Sequence, residues 1–207
     1  MYPTIKRGMD LVFTLLGTIL CCPVFFVIIV AIKLDSKGPI FFRQKRVGIN
    51  KTFFRIYKFR TMRVDTPKDV PTHLLTNPQA FITRVGKFLR KTSLDELPQV
   101  FNIMKGDMSI VGPRPALWNQ DDLVAQRELY GANGVRPGLT GWAQINGRDE
   151  LEIPVKAKLD GEYVRKMGIR MDLRCFFGTF IKVLRGDGVV EGSGTKHISP
   201  TDADKKQ

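Results

Sequence analysis

The chain has 207 residues, with 33 Lys and Arg against 20 Asp and Glu, a formal net charge of +13 and a pI near 9.9. This length suits one domain with a sizeable core, and so basic a balance points to polyanionic partners: nucleic acid, anionic lipid or phosphorylated substrates. Three cysteines do not make a disulfide framework, and two distant histidines, His73 and His197, with no CxxC or HExxH spacing, argue against a histidine-based zinc site.

The first element is apolar. Leu11 to Ile32 gives 22 consecutive uncharged positions. At 1.5 Å per residue a straight helix of that length covers about 33 Å, against a hydrocarbon core of about 30 Å. The run is too long for a signal-peptide core, no small-residue cleavage site follows it, and Leu20 before Cys21 fits lipoprotein processing poorly. The segment is expected to stay in the mature protein and hold it to a membrane. Pro23, near its middle, removes a backbone hydrogen bond and favours a kink. Lys6 and Arg7 flank one end and Lys33, Lys37, Arg43, Lys45 and Arg46 the other, so the positive-inside rule draws both ends to the cytoplasmic face. A helix broken at Cys22-Pro23 and returning to the side it entered satisfies both pulls. A plain spanning helix with a proline kink is the alternative.

Gly38-Pro39 ends this pattern. Ile40–Arg46 and Thr52–Thr61 read as two strands around Gly48-Ile49-Asn50-Lys51, with Phe54, Ile56, Lys58 and Arg60 sharing one face of the second. Cations interleaved with aromatics suit a nucleic-acid surface, but beside a membrane segment an interfacial hairpin or a phosphate site is the preferred use. Val64–Asn77 reads as a polar loop, and Phe81–Leu89 as a helix ending in Arg90-Lys91.

The next stretch, Arg90-Lys-Thr-Ser-Leu-Asp95-Glu96-Leu-Pro98, sets two adjacent carboxylates after a basic cluster. Ser93 followed by Glu96 has the form of a capping box. Asp95 then lies in the first helical turn, where free N–H groups and the helix dipole favour an ionised carboxylate that attacks phosphate. Simple helix capping by the same residues is the bland alternative. Pro98 falls just past the first turn, so the helix running to Met104 is expected to start irregularly. Gly112-Pro113-Arg114-Pro115 is a stiff loop presenting one arginine, or else a plain chain reversal. Arg136 to Arg148 is glycine-rich with an arginine at each end, but has neither GxGxxG nor P-loop spacing. Ile153–Met167 reads as a polar helix. Asp172 opens an amphipathic one, with Leu173, Phe176, Phe177, Phe180, Ile181 and Leu184 on a stripe that suits either core or membrane interface. From Glu191 the chain is small and polar, and a disordered tail (191–207) is expected.

In order, Tyr57–Met62, Arg84-Val-Gly86, Arg90–Gln99, Asn102–Ser109, Val111-Gly-Pro-Arg-Pro115 and Arg136–Gly141 through Asn146-Gly-Arg148 resemble the bacterial sugar transferases known as monotopic phosphoglycosyl transferases. The short length is most similar to small members such as bacillosamine-phosphate transferases. The resemblance implies an α+β, mainly helical protein: a re-entrant membrane helix (1–37), a small β-hairpin and amphipathic interfacial helices around one catalytic domain (38–190). It implies a monotopic enzyme of the bacterial inner membrane, facing the cytoplasm. The enzyme would move a sugar-1-phosphate from a UDP-sugar, an N-acetylated one by likeness to small members, to polyprenyl phosphate with release of UMP. Asp95 matches the family's nucleophile and Glu96 its acidic neighbour, and the family uses Mg2+; the preference of that ion for carboxylate plus phosphate oxygens makes Asp95 its expected metal contact. Arg90 and Pro113-Arg114-Pro115 match positions that hold phosphate and nucleotide.

The residues agree with two successive displacements at Asp95, since donor and acceptor are both anionic. Lys58, Arg60, Arg90 and Arg114 are candidates for neutralising developing charge, with Arg136 and Arg148 added to the substrate-binding set. One departure concerns the membrane break, where the family's common Ser-Pro is Cys22-Pro23 here, and a thiol is a weaker hydrogen-bond partner. Membrane lipids are expected partners, nucleic acid is not, and a homodimer is left open. The rival class is a membrane-tethered basic protein that binds nucleic acid or anionic lipid, which leaves Asp95-Glu96 beside Arg90 unexplained.

Overall fold

The computed structural model describes residues 2–66, 78–147 and 151–185, with backbone alone for 183–185. Most of the Val64–Asn77 loop, both histidines, Arg148 and the expected disordered tail lie outside the described residues.

Helix α1, Tyr2–Asp35, runs 34 residues through Pro23. Its buried residues fall at the two ends, Lys6, Asp10 and Thr14 at one and Ile28 and Ile32 at the other. Between them Ile19, Leu20 and Phe26 are 65–81% exposed. Only 17% of its most apolar window is buried, whereas a core helix of a soluble domain would bury most of it. The helix is long and apolar enough to cross a membrane.

Both ends dock on the rest of the chain. Near the start, Lys6 Nζ and Tyr2 OH donate to Asp172 Oδ2 at 2.6 and 2.7 Å, and Ile110 N donates to Asp10 Oδ1 at 3.1 Å. Arg7 donates to the carbonyls of Ile103 and Met104. Near the end, Phe25, Ile28 and Ile32 pack with Phe59 and Leu89, and the Phe25 ring meets Phe101 edge-on, centroids 6.1 Å apart. Arg7 and Phe25 thus both touch one short helix, α3 (Val100–Lys105).

Strands β1 (Phe41–Val47) and β2 (Phe53–Phe59) form the expected antiparallel hairpin, with Phe41 opposite Phe59 and Val47 opposite Phe53. The connection is a 3-10 turn at Ile49–Lys51, where Asn50 and Lys51 take positive φ. Helix α2 spans Arg84–Lys91 and is capped by Thr83, whose hydroxyl accepts from Gly86 N at 3.0 Å. A second ladder was not anticipated. β3 (Ser109–Val111) pairs in parallel with β4 (Gly138–Thr140), each too short to show a period. It accounts for glycines of the Arg136–Arg148 segment: a Cβ on Gly138 would strike the backbone of Gly112, and one on Gly112 would strike the Arg136 carbonyl. These glycines serve close strand packing.

Helices α4 (Asp121–Glu128), α5 (Trp142–Ile145), α6 (Ile153–Arg165) and α7 (Ile169–Arg185) complete the mainly helical chain. On α7 the inner side buries Met171, Asp172 and Cys175, the last fully packed against Tyr163 and Val111, and burial pushes its thiol up to about 12. The apolar stripe faces out: Leu173, Phe176, Phe177, Phe180 and Ile181 are all exposed. Within the described residues it is therefore not core.

Candidate active site

Asp95 and Glu96 stand in a 3-10 turn, Leu94–Gln99, between α2 and α3. The expected capping box is absent. Ser93 is left-handed at φ 56°, and its side chain makes no capping hydrogen bond. Pro98 supplies the reason: with no N–H and a ring that crowds the preceding turn, it resists an α-helical start, and regular α-helix begins at Val100. Glu96 is therefore free to turn inward instead of reaching back to Ser93, and it is buried.

Strand β2 lies across this turn and delivers Lys58, while the loop after β3 delivers Arg114. Both converge on one oxygen. Lys58 Nζ is 2.7 Å and Arg114 Nη2 2.9 Å from Glu96 Oε1. Lys58 Nζ is also 3.8 Å from Asp95 Oδ2. Asp95 is raised above its ordinary carboxyl pKa, first by burial; Lys58 opposes the shift, neighbouring Glu96 adds to it, and Arg90 and Arg114 oppose it. Asp95 thus lies in a short 3-10 turn and not in the first turn of a regular α-helix. The result is an acidic pair enclosed by three cations from three elements, a site that gains from a ligand bringing its own charge.

Asn102 organises the supporting strand, although sequence reasoning gave it no role. Fully buried, it accepts from Tyr57 N at 2.9 Å and donates to Arg55 O and Asp107 Oδ2, tying β2 to α3 on either side of Ile56, just before Lys58. The available signal was a lone amide inside an otherwise apolar stretch, Val100–Met104.

The other candidates go elsewhere. Arg60 is buried and donates to the Ser36 and Lys37 carbonyls and to Ser36 Oγ, closing the end of α1; burial lowers its pKa. Arg136 donates to Gly106 O at 2.9 Å and, with Lys6, Arg7 and Asp10, lines a cavity of about 120 Å³. Pro113 and Pro115 are buried and stiffen the loop beneath Arg114. Cys22 is exposed on α1.

Among the described residues no three His, Cys, Asp or Glu side chains gather into a metal cage. Glu96 Oε1 is engaged by two cations, and Asp95, 3.8 Å from Lys58, is a carboxylate that could hold a divalent ion. One carboxylate plus substrate phosphates is the usual environment of Mg2+, so the donor set fits an ion shared with a phosphorylated ligand and not a resident one.

A long apolar helix and a cation-lined acidic pair thus stand in one chain. The profile of the family described as bacterial sugar transferase matches residues 1–186, and the chain belongs to that family. It is 41% identical over 191 residues to the UDP-glucose:undecaprenyl-phosphate glucose-1-phosphate transferase of Escherichia coli, covering 86% of this chain and 40% of that protein. It is 38% identical over 193 residues to the UDP-N-acetylgalactosamine-undecaprenyl-phosphate N-acetylgalactosaminephosphotransferase of Aeromonas hydrophila, 90% of this chain and 45% of that one. The sugar transferase EpsL of Bacillus subtilis is 38% identical over 197 residues, 94% of this chain and 93% of its own length. The chain thus spans less than half of the first two relatives.

Proposed function

We propose that this protein transfers a sugar-1-phosphate from a UDP-sugar to polyprenyl phosphate, releasing UMP. The observation that carries the proposal is the enclosure of Asp95 and Glu96 by Lys58, Arg90 and Arg114. A structural acidic cap needs no such ring of cations; two phosphorylated substrates do.

The Asp95 carboxylate oxygen attacks the sugar-bearing phosphorus, and the bond from that phosphorus to the UMP oxygen breaks, UMP leaving with the electron pair. A polyprenyl phosphate oxygen then attacks the same phosphorus, and Asp95 leaves as carboxylate. Lys58 and Arg114, fixed on Glu96, are preorganised cations for the charge that builds on the phosphoryl oxygens. Mg2+ held at Asp95 would supply Lewis-acid polarisation of the diphosphate. The names of relatives at 38–41% identity point to glucose and to N-acetylgalactosamine, so likeness at this level does not select the sugar. An N-acetylated donor is our proposal, resting on likeness to the small members.

The membrane part of the proposal is that α1 enters and leaves the bilayer on the cytoplasmic side of the bacterial inner membrane. On a straight helix Arg7 and Phe25 would stand about 27 Å apart, yet both touch α3, whose contacted residues Phe101 and Ile103 are two positions apart. Thr18 Oγ1 donates to Thr14 O at 2.7 Å, a back-bond that often bends helices, one turn before Pro23. The outward apolar stripe of α7 would lie at the same interface, holding the site near lipid phosphates.

The test is UMP release by purified protein across a panel of UDP-sugars. Without lipid acceptor, one donor should give stoichiometric release of UMP or UMP exchange, and Asp95→Asn should abolish both. Turnover that persists in that variant removes Asp95 from the mechanism. Salt-dependent RNA binding without UMP release would favour the tethered binding protein.

A further inference from the structure

A loop of the form Pro-Arg-Pro has almost no N–H groups of its own, so the rest of the chain must hold it through its carbonyls. All three carbonyls of Pro113-Arg114-Pro115 are engaged, each by a different element. Pro113 O accepts from Gly138 N of β4 at 2.9 Å. Arg114 O accepts from Arg127 Nη2 of α4 at 2.9 Å, and Pro115 O from Arg46 Nη1 of β1 at 3.1 Å. The loop ends are pinned as well, by Gly112 N on Thr140 O and Val47 N on Ala116 O.

Two of the three clamps are guanidinium groups, and one is costly to keep. Arg127 is 5% exposed, and its Nε and Nη2 both donate to Asp160 Oδ2, at 2.8 and 2.6 Å. Asp160, on α6, is 1% exposed. A buried ion pair adds little stability over apolar packing of the same shape. What this one provides is orientation: Asp160 holds the planar fork so that Nη2 meets the Arg114 carbonyl. Arg46 is steadied in a similar way, Nη2 donating to Gln44 Oε1 at 2.7 Å.

We propose that Arg127, oriented by Asp160, and Arg46 are positioning residues for the transfer reaction, acting through Arg114 to keep its guanidinium on Glu96. This rests on the proposed function of the same site. Lysine should not substitute at position 127, because a single ammonium does not span Asp160 and the Arg114 carbonyl as the guanidinium fork does.

A double-mutant cycle read by single-turnover UMP release tests the proposal. Arg127→Lys should lower kcat/KM roughly tenfold or more in the wild-type background. In an Arg114→Gln background the same change should cost less than about twofold, because the side chain being positioned is gone. Arg46→Gln should behave likewise, and it decides the matter if circular dichroism shows Arg127→Lys to be unfolded. Equal fold-losses in both backgrounds, or no loss in the first, overturn the proposal. If the wild-type chain releases no UMP from any donor, the proposed function fails, and amide exchange decides the clamp separately. Residues 112–117 should then exchange faster in both variants while the β1–β2 ladder is unchanged; unchanged exchange in 112–117 overturns the clamp.

Discussion

Burial sets the character of Asp95. Its carboxyl is raised above its ordinary value near 3.8 even with Lys58, Arg90 and Arg114 pulling the other way. Between the ordinary value and the raised one, the folded chain keeps a proton that the unfolded chain has released. The contribution of this group to stability therefore falls as pH rises through that window and is lowest above it. Asp95→Asn should accordingly raise the melting temperature at pH 7.5, because a neutral amide has no charge to desolvate. The gain should shrink as pH is lowered through the window. An unchanged or lower melting temperature at pH 7.5 would mean that the cations outweigh burial. Ser93 offers a second check at this scale. As a capping residue it would lose only about 0.3 kcal/mol on replacement by glycine. In its observed left-handed conformation, Ser93→Gly should instead stabilise the fold by up to about 1 kcal/mol in chemical denaturation. A small loss in place of the gain would restore the capping box.

At the scale of elements, length and alternation were legible and short pieces were not. The uncharged run Leu11–Ile32 gave α1, and the glycine-marked turn between two aromatic strands gave β1 and β2. Three-residue strands β3 and β4 carry no period, and the meaning of Gly112 and Gly138 emerges only when the two backbones meet. The turn holding Asp95 was half legible: Pro98 announced an irregular start, while the left-handed Ser93 that removes the cap had no sequence signal. Asp95, Glu96, Lys58 and Arg114 do come together. Arg60 shares a strand face with Lys58 in the sequence pattern, and its donors go to the end of α1. Whether α1 returns to its own side can be read with single cysteines, placed by Thr4→Cys or Ser36→Cys in a chain whose native cysteines are replaced. An impermeant maleimide should label both from the same face of the membrane. Labelling from opposite faces would make α1 a spanning helix.

For the molecule as a whole, the net charge of +13 and the apolar anchor have complementary uses under the proposed function. The anchor brings the site to the level of lipid headgroups, and the cations offset the repulsion between two anionic substrates that meet Asp95 in turn. This division of labour requires a covalent stage between the two encounters. The most direct measurement is mass spectrometry of wild-type protein quenched while working on its UDP-sugar, under conditions that preserve acyl phosphates. A mass increase of one phosphosugar mapping to Asp95 is expected. The same label on another residue, or none while UMP is being released, would contradict the account.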